Sequence, residues 1–337
     1  MAPSHTRHRA RSRARRVAAS VCIVLLVLVA AAAGAVVWRT GAYDAGIDRI
    51  SGALPEDRAS ADADPGENWL VVGSDLRGEA TAGKWRSGES GSDVIILVHM
   101  PADADRVFAV SFPRDSWVPI PGHGTDKINE AYRQGGSRLL VRTVERFSGV
   151  AIDHFAAVDF AGFERMVDAL GGVTLDLPRE IRDPTNGWHW EQGENDMDGE
   201  EALRFVRERK GLSGSDIDRV ARQQVFLNAI AEKAASDLAS DPGRLDAFLT
   251  AAGESLAVDD RVTAATLQAA ALRLLDAGPD NAVFVTLAVD EPAWIDGKNV
   301  LRLDTPVNDG LFAALEQGRL HAYVDEHDLA NDARSLN

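Results

Sequence analysis

Three short apolar runs constrain the fold of this chain more than any other feature of its sequence. They cover Leu70 to Val72, Val94 to Val98 and Val107 to Val110, and each is rich in β-branched residues. Strands that are buried on both faces have this composition, whereas half-exposed strands alternate apolar and polar residues. The runs therefore predict central strands of a sheet that other elements cover on both sides.

Further along the chain, strand-like runs alternate with helical patterns. We expect more strands over Phe155 to Val158 and Val173 to Leu177, and beyond Asp241 mainly amphipathic helices with one apolar run from Val283 to Leu287. We expect helices over Ser137 to Phe147, Phe160 to Leu170, Ala202 to Val206, Ile217 to about Leu238 and Val307 to Glu316. Such alternation predicts an α/β fold, a layered sandwich with a central, mostly β-sheet core flanked by helices.

Three smaller features accompany these elements. Gly171 and Gly172 are predicted to end the helix before them. Residues Asp183 to Asp198 are predicted as a long loop whose tryptophans form either a lid or a hydrophobic plug. Ile217 is expected on the apolar face of the long helix.

The N-terminal region predicts a membrane anchor. Six arginines lie between positions 7 and 16, and residues 17–38 are uncharged. About 22 such residues suffice for one helix across a bilayer, and the positive-inside rule leaves residues 1–16 in the cytoplasm. A cleaved signal peptide is the alternative, although its apolar region is usually shorter. We predict an uncleaved transmembrane helix at 17–38, an extracellular linker at 39–67, a folded extracellular domain at 68–330 and a tail at 331–337.

Charge and cysteine content limit the partners of the exported part. The net charge of the chain is −16, and setting aside the six N-terminal arginines leaves −22. Such a domain repels nucleic acid, so a polyanionic ligand must be captured by a local cationic pocket. The only cysteine, Cys22, lies in the predicted membrane span. The external domain therefore has no disulfides and depends on a large core.

Charged residues gather at the ends of the predicted strands. Asp75 follows the first apolar run and Asp93 precedes the second. Similar positions are held by Arg77, Arg114, Asp115 and Lys127, and a second basic stretch supplies Arg207, Arg209, Arg219, Arg222 and Gln223. Groups at several strand ends can converge in one crevice, where carboxylates and arginines would suit a divalent metal ion and a polyphosphate. Each of these residues singly is also explained as a turn former or a solvated ion pair.

The spacing of residues in the second basic stretch predicts two geometric features. Arg219, Arg222 and Gln223 are spaced i, i+3 and i+4, which places them on one helix face. Arg207 and Arg209 are two residues apart, so they point the same way only if the preceding helix has ended by Val206.

Signals for other chemistries are weak. The sequence has no GxxxxGK[ST] loop, no HExxH and no GxSxG motif, which removes the usual signs of a P-loop enzyme, a zincin and an α/β-hydrolase. The histidines are scattered, and His99, His123, His154 and His189 are better explained by core or surface positions than by zinc binding. Gly135 and Gly136 indicate a turn and not a dinucleotide-binding loop.

The ordered motifs GSDLR, SDVIILVHM, SFPRDSWV, DKINEAY and FVRERKGLSGSDIDRVARQQ, behind one predicted membrane span, resemble the LytR-CpsA-Psr (LCP) family of cell-wall glycopolymer ligases. The resemblance implies a phosphotransferase that moves an anionic glycopolymer from a polyprenyl-pyrophosphate carrier to peptidoglycan, forming a phosphodiester. It implies Mg²⁺, with Mn²⁺ as a substitute, bound by Asp75 and Asp93. It implies that Arg114, Arg207, Arg209 and Gln223 grip the pyrophosphate, supported by Arg77, Lys127, Arg219 and Arg222.

Two positions depart from the family pattern. The proton acceptor, the lining of the prenyl groove and the overall function each have alternatives. Val94 stands where the family commonly has threonine, and His99 where it often has a hydroxyl residue. Asp75 or Asp115 would accept the acceptor's proton, although Asp115 has the alternative role of orienting Arg114.

A groove for the prenyl chain is expected near the cluster, lined by Phe155, Phe160, Phe163, Met166, Leu170 or the downstream helices. The rival functions are a pyrophosphatase without an acceptor and a non-catalytic regulator that binds lipid-linked intermediates.

Overall fold

The computed structural model describes residues 47–56, 66–74, 91–102, 106–208, 216–237, 241–277 and 281–331. The strands in these ranges are β1 (Asp48–Ile50), β2 (Gly66–Ser74), β3 (Ser92–Pro101), β4 (Val107–Ser111), β5 (Trp117–Ile120), β6 (Gly124–Lys127), β7 (His154–Asp159), β8 (Val173–Leu177), β9 (Ile181–Asp183), β10 (Trp188–Trp190), β11 (Gly193–Met197), β12 (Leu256–Asp259), β13 (Ala282–Thr286), β14 (Val289–Ile295) and β15 (Lys298–Leu303). The helices are α1 (Ile128–Ser148), α2 (Phe160–Ala169), α3 (Gly199–Arg207), α4 (Asp216–Asp237), α5 (Pro242–Ser255), α6 (Ala264–Ala277), α7 (Thr305–Glu316) and α8 (Leu320–Glu326).

One mixed sheet organises the described part of the chain. Its strand order is β1-β12-β7-β2-β3-β4-β13. β2 is parallel to β7 and antiparallel to β3, which is antiparallel to β4, and β4 is parallel to β13. The ends of β2, β7, β4 and β13 and the start of β3 therefore lie together. We call this side of the sheet the site edge.

Two hydrophobic cores cover the two faces of the sheet. Successive residues of β2 alternate between them, with Trp69 and Val71 in the first core and Leu70 and Val72 in the second. Helices α2 to α6 contribute buried side chains to the first core, and α1, α7 and α8 contribute to the second. Each fully buried large aliphatic side chain stabilises such a layer by about 1.5–3 kcal/mol. The sheet is thus the middle of three layers, and the three predicted central strands are confirmed as β2, β3 and β4. The strand predicted at Phe155 to Val158 is β7, next to β2, whereas the strand predicted at Val173 to Leu177 is β8, which pairs with β11 outside this sheet.

The glycine predictions agree with the backbone. Gly171 and Gly172 have φ values of 77° and 81° directly after α2, a left-handed conformation that ends helices. Gly135 and Gly136 interrupt the helical geometry inside α1, where Gly136 has φ 62° and ψ −157°. This pair forms a kink between two helical segments.

Several boundaries differ from the predictions. β1 pairs with β12, and Ala53 and Leu54 are buried in the second core, so part of the predicted linker at 39–67 belongs to the folded domain. The predicted loop over Asp183 to Asp198 contains β10 and β11 and begins at the last residue of β9. These strands are too short to give a periodic signal in the sequence. Trp190 is 2% exposed and lies 5.4 Å from Phe205 between ring centroids, so it acts as a plug.

One further prediction needs correction, two hairpins were not predicted, and the membrane prediction lies outside the described residues. Ile217 is 40% exposed, because the first turn of α4 extends beyond the core. The hairpins β5-β6 and β14-β15 were not predicted from sequence. The arm and membrane span predicted over 1–38 are not among the described residues. In the ranges that are described, no helix has the length and apolar character to cross a membrane.

Candidate functional site

Five charged side chains alternate in sign along the site edge. Arg114 Nη1 lies 2.5 Å from Asp93 Oδ1, and Arg219 Nη1 on α4 lies 3.7 Å from the same oxygen. Asp115 Oδ1 lies 3.9 Å from Arg114 Nε and 2.9 Å from Lys127 Nζ. We call this series, from Arg219 through Asp93, Arg114 and Asp115 to Lys127, the ion-pair chain. Its three cations exceed its two carboxylates by one, which favours capture of an anion.

Backbone hydrogen bonds hold the middle of the ion-pair chain in place. The turn after β4 is fixed to the start of α1, because Asn129 N donates to Arg114 O (3.3 Å) and Ile128 N donates to Ser116 O (2.9 Å). Leu301 N of β15 donates to Asp115 O at 2.9 Å. Arg114 and Asp115 therefore sit on a turn whose main chain is anchored on two sides.

Helix α4 presents a polar face that is buried. Arg219, Arg222 and Gln223 are only 2%, 0% and 5% exposed, so the predicted shared face is confirmed and points inward. Gln224 donates from Nε2 to Ser111 Oγ (3.0 Å) and Thr286 Oγ1 (3.2 Å), at the ends of β4 and β13. These bonds attach α4 to the site edge.

Arg222 positions the segment that carries the other arginines. Its Nη1 donates to the carbonyl oxygen of Glu208, the residue between Arg207 and Arg209. Burial lowers the pKa of Arg222, the carboxylates of Glu208 and Asp218 oppose this, and the nearby Arg179 lowers it further. Because a buried guanidinium requires such partners, Arg222 is a positioning residue.

Arg207 ends α3 and rests on an aromatic ring. The helix extends one residue beyond the predicted end at Val206, and Glu208 is extended with ψ 135°. The Arg207 guanidinium carbon lies 4.4 Å from the ring centroid of Phe160, which is a cation–π contact. The ring thus fixes the direction of Arg207.

An apolar cavity of about 70 Å³ opens beside the ion-pair chain. It lies between the sheet and helices α2, α3 and α4, and its lining residues are Val71, Val72, Gly73, Val94, Val158, Asp159, Phe160, Phe163, Leu203, Val206 and Gln223. Phe160 and Phe163 line it as predicted. Phe155 does not, because it faces the second core on the other side of the sheet. Met166 and Leu170 are buried in the packing of the first core.

Asp159 is a site-edge residue that the sequence analysis missed. It is 1% exposed and caps α2, because its Oδ1 accepts from Gly162 N at 2.6 Å. Its Oδ2 makes no hydrogen bond with any residue in the described ranges. Burial raises the pKa of Asp159 more than the Gly162 N–H and Arg165 lower it. Asp159 directly follows the apolar run of β7, just as Asp75 follows that of β2, and this shared position could have identified it.

Several other buried polar atoms at this edge make no hydrogen bond within the described residues, and two of them are neutral oxygens on either side of the ion-pair chain. They are Ser92 Oγ, next to Asp93, and Asn129 Oδ1 in the first turn of α1. Buried polar atoms are almost always satisfied in native proteins. Both atoms are therefore suited to a ligand, an ion or water.

The structure brings together most of the predicted site. Asp93, Arg114, Asp115, Lys127 and Arg219 form the ion-pair chain, with Arg222 and Gln223 buried beside it and Arg207 at the cavity wall. Asp75, Arg77 and Arg209 lie outside the described residues. Within those residues, no group of three or more His, Cys, Asp or Glu side chains could hold a metal ion.

The two departures from the family pattern have structural explanations. Val94 lines the apolar cavity, where a threonine hydroxyl would meet apolar groups. His99 is 1% exposed, and its Nδ1 lies 2.8 Å from Asn68 Oδ1. Gly66 approaches the His99 ring so closely that an added Cβ would lie 2.5 Å from Cε1. His99 is therefore a core residue at the far end of β3.

The fold and the site define an α/β protein in which cations at a sheet edge adjoin an apolar cavity, as an amphiphile with an anionic head group requires. Residues 46–317 match the model of the LytR_cpsA_psr family. The chain belongs to this family.

Named relatives agree with this assignment. The chain is 38% identical over 200 residues to a probable cell wall biosynthesis protein LcpB of Corynebacterium glutamicum, covering 57% of this chain and 47% of LcpB. It is 35% identical over 192 residues to the polyisoprenyl-teichoic acid–peptidoglycan teichoic acid transferase TagU of Halalkalibacterium halodurans, covering 56% and 60% of the two chains. The matches thus span about half of the length of these relatives.

Solved structures share the fold. Bacillus subtilis TagV superposes with a TM-score of 0.61 and 25% identity, covering 77% of this chain and 98% of TagV. A structure of TagT bound to LI-WTA superposes with a TM-score of 0.59 and 26% identity, covering 79% and 94% of the two chains.

Proposed function

We propose that the protein transfers an anionic glycopolymer from a polyprenyl-pyrophosphate carrier to peptidoglycan, forming a phosphodiester bond. The observation that carries this proposal is the contact between the ion-pair chain and the apolar cavity. Asp93 and Val94 are consecutive in β3, and Arg219 and Gln223 are one turn apart on α4. A diphosphate joined to a hydrocarbon chain needs such a pair of neighbouring sites. The names of the TagU relatives and the TagT complex support the same substrate class.

The ion-pair chain provides the grip on the diphosphate. Arg114 and Arg219 have planar forks that bind phosphate oxygens in pairs, and Lys127 adds a third cation. Asp93 and Asp115 hold these cations apart until the substrate arrives. Arg207 approaches from the cavity wall, and Arg209 and Arg77 complete the proposed grip.

The cavity holds the start of the prenyl chain. Its volume of about 70 Å³ is well below the roughly 300 Å³ of small ligand pockets. A longer part of the carrier therefore requires α3 or α4 to move away from the sheet. Because Arg207 rests on Phe160 of the cavity wall, such a movement would also change the position of Arg207 relative to the phosphates.

The donors at the start of β3 fit Mg²⁺, or Mn²⁺ in its place. Asp93 supplies a carboxylate, Ser92 supplies a hydroxyl that no described residue hydrogen-bonds, and Asp75 is the proposed second carboxylate. Mg²⁺ in phosphate sites commonly uses one or two carboxylates and takes its other ligands from water and phosphate. When bound, such an ion neutralises negative charge on the phosphates.

The metal assignment has its own test. Asp93→Asn should weaken Mg²⁺ binding to the purified full chain in calorimetry and should remove activity. Asp115→Asn is the matched control for Mg²⁺ binding alone, because it removes a carboxylate of the same ion-pair chain that is proposed as a proton acceptor and not as a metal ligand. Equal Mg²⁺ binding by wild type and Asp93→Asn would contradict the assignment.

The reaction balances as an in-line displacement at phosphorus. The acceptor hydroxyl oxygen bonds to the phosphorus that carries the glycopolymer, and the bond from that phosphorus to the polyprenyl phosphate breaks. The electron pair leaves on the polyprenyl phosphate, whose charge the arginines and Lys127 stabilise. The hydroxyl proton passes to a carboxylate of the site, for which we propose Asp115 and, as the alternative, Asp75.

The predicted anchor at 17–38 would place this chemistry outside the cell, where peptidoglycan is assembled. The exported part has a net charge of −22 once the six N-terminal arginines are set aside. Anionic glycopolymers would therefore be repelled from most of its surface and attracted only by the cations of the site edge.

Reconstitution with defined substrates tests the proposal. The full chain in detergent, with Mg²⁺ and a polyprenyl-pyrophosphate-linked glycan, should release polyprenyl phosphate and attach the glycan to added peptidoglycan. Release with water as the only acceptor, even when peptidoglycan is present, would identify a pyrophosphatase. Binding of the donor without any release would identify a regulator. Either result would overturn the transfer reaction.

A further inference from the structure

A second, larger groove lies on the opposite face of the sheet from the apolar cavity. It has a volume of about 610 Å³, which is within the range of small-molecule sites. The outer face of β5, the end of α1, the β14-β15 hairpin and the first turn of α7 form its walls. We call it the β5 groove.

The lining of the β5 groove combines aromatic rings with charges of both signs. Trp117 and Phe147 supply the rings, and the exposed charged groups are Arg146, Arg302, Asp290 and Asp309. A sugar ring has an apolar C–H face that stacks on an indole and a rim of hydroxyls that carboxylates and guanidinium groups can bind. A glycan strand whose attached peptides carry carboxylate and ammonium groups would match this lining.

The groove begins where the ion-pair chain ends. Trp117 of β5 pairs with Lys127 of β6 in an antiparallel register, so the two side chains project from the same face. Val118 and Ile120 are buried on the other face. Asp115, whose Oδ1 is 2.9 Å from Lys127 Nζ, precedes Trp117 by two residues. A polymer in the groove would therefore run directly to Asp115 and Lys127.

The two pockets lie on opposite sides of the ion-pair chain. The apolar cavity is walled by side chains of the first core, such as Val158 and Leu203. The β5 groove is bordered by Phe147 and Leu303, which pack against the second core. In phosphoryl transfer the attacking and leaving oxygens lie roughly in line on opposite sides of the phosphorus. If the carrier leaves toward the cavity, the acceptor must arrive from the side of the groove.

We infer that the β5 groove binds the acceptor, a glycan strand of peptidoglycan, with Trp117 stacked on a sugar ring next to the attacking hydroxyl. This inference rests on the proposed function, because the direction of attack follows from the position of the carrier. The groove would bind the acceptor, whereas the apolar cavity and the arginines would bind the donor.

Acceptor kinetics test the inference with the full chain, a polyprenyl-pyrophosphate-linked donor and soluble peptidoglycan strands released from sacculi. Trp117→Ala should raise the apparent KM for the strands about tenfold, as expected for the loss of one aromatic contact. The KM for the donor and the slow hydrolysis of the donor without acceptor should stay unchanged. Trp294→Ala is the matched control, because Trp294 is 70% exposed on β14 and does not line the groove.

A second variant keeps the test decisive if Trp117→Ala does not fold. The Arg302 side chain is 54% exposed, so Arg302→Glu should fold normally and should also raise the KM for the strands. An unchanged acceptor KM in both variants, with normal turnover of the donor, would overturn the groove assignment and leave the proposed function standing. A raised KM for the donor instead would show that the groove holds the donor glycan. Failure of the wild-type chain to release polyprenyl phosphate would overturn the proposed function first.

Discussion

Arg114 and Asp93 join the end of β4 to the start of β3 through a contact of 2.5 Å between Nη1 and Oδ1. Their side chains are 16% and 18% exposed, so solvent screens the pair only in part. A diphosphate that binds Arg114 must compete with this carboxylate. The pair therefore keeps the guanidinium in position before the substrate arrives.

Replacing Arg114 by lysine tests the importance of its planar fork. Arg114→Lys keeps the charge and loses the paired donors, so kcat/KM should fall about 100-fold while the melting temperature changes little. Arg138→Lys is the control, because Arg138 has a side chain that is 48% exposed and its charged partner is Glu56. Equal kcat/KM in Arg114→Lys and wild type would show that only charge matters at this position.

The contact between Arg207 and Phe160 gives a second prediction. Phe160→Leu preserves an apolar cavity wall and removes the ring under the guanidinium, so the KM for the donor should rise about 5-fold. Phe163→Leu alters the same cavity, but the ring of Phe163 packs on Phe226, 5.5 Å away between centroids. Donor titrations of both variants measure the difference. Equal effects would mean that the cavity wall, and not the cation–π contact, determines donor binding.

The buried carboxyl of Asp159 predicts a pH-dependent stability. Its pKa is raised in the folded protein by burial, so between about pH 4 and that raised value the folded state binds more protons than the unfolded state. Stability contributed at this site therefore falls as pH rises through this window. Asp159→Asn keeps an N-cap and cannot ionise, so its melting temperature relative to wild type should increase with pH.

Asp198 provides the control for that series. It caps α3 through a hydrogen bond from Glu201 N and is exposed to solvent, so Asp198→Asn lacks a burial effect. Its melting temperature relative to wild type should not follow the same rise. A constant difference between Asp159→Asn and wild type from pH 4 to pH 8 would contradict the role of burial.

Asp259 predicts the opposite pH dependence at the far edge of the sheet. Burial alone would raise the pKa of Asp259, but His154 and the N–H groups of Phe155 and Arg261 lower it below its ordinary value. Its stabilisation is therefore present above about pH 4 and is lost as pH falls through the lowered pKa. Asp259→Asn should lose about 2 kcal/mol of unfolding free energy at pH 7. The loss should shrink in acid, and kcat should not change.

Urea denaturation measures the unfolding free energy of Asp259→Asn, and donor turnover on the same samples measures its kcat. Asp260→Asn, at an exposed neighbouring position, should leave stability within about 0.5 kcal/mol of wild type. A large loss of kcat in Asp259→Asn would indicate that the far edge influences the site.

The sequence predicted the central strands and much of the site for a definite physical reason. Buried strands need continuous apolar runs, and their ends can be located to within a few residues, so Asp93, Arg114 and Lys127 could be placed at one edge. The polar face of α4 was also predictable from its spacing. The burial of this face was not predictable, because the same spacing of arginines is compatible with a face exposed to solvent and with a face that lines a pocket.

Other features depend on contacts that local sequence does not encode. β9, β10 and β11 have three to five residues each, too few for a periodic signal, and β1 exists because β12 is present to pair with it. The β5 groove joins residues from β5 and α7 that are far apart in sequence. Asp159 was missed because a single aspartate before a helix is usually explained as an N-cap.

The division of labour between cavity wall and cations has a practical implication. Val71 and Leu203 line the space proposed for the hydrocarbon, whereas Arg114 and Arg219 would bind the phosphates. Carrier length and head-group chemistry would then be separately adjustable. An engineer wishing to accept a shorter or more saturated lipid could reshape the aliphatic residues while keeping the charged cluster untouched.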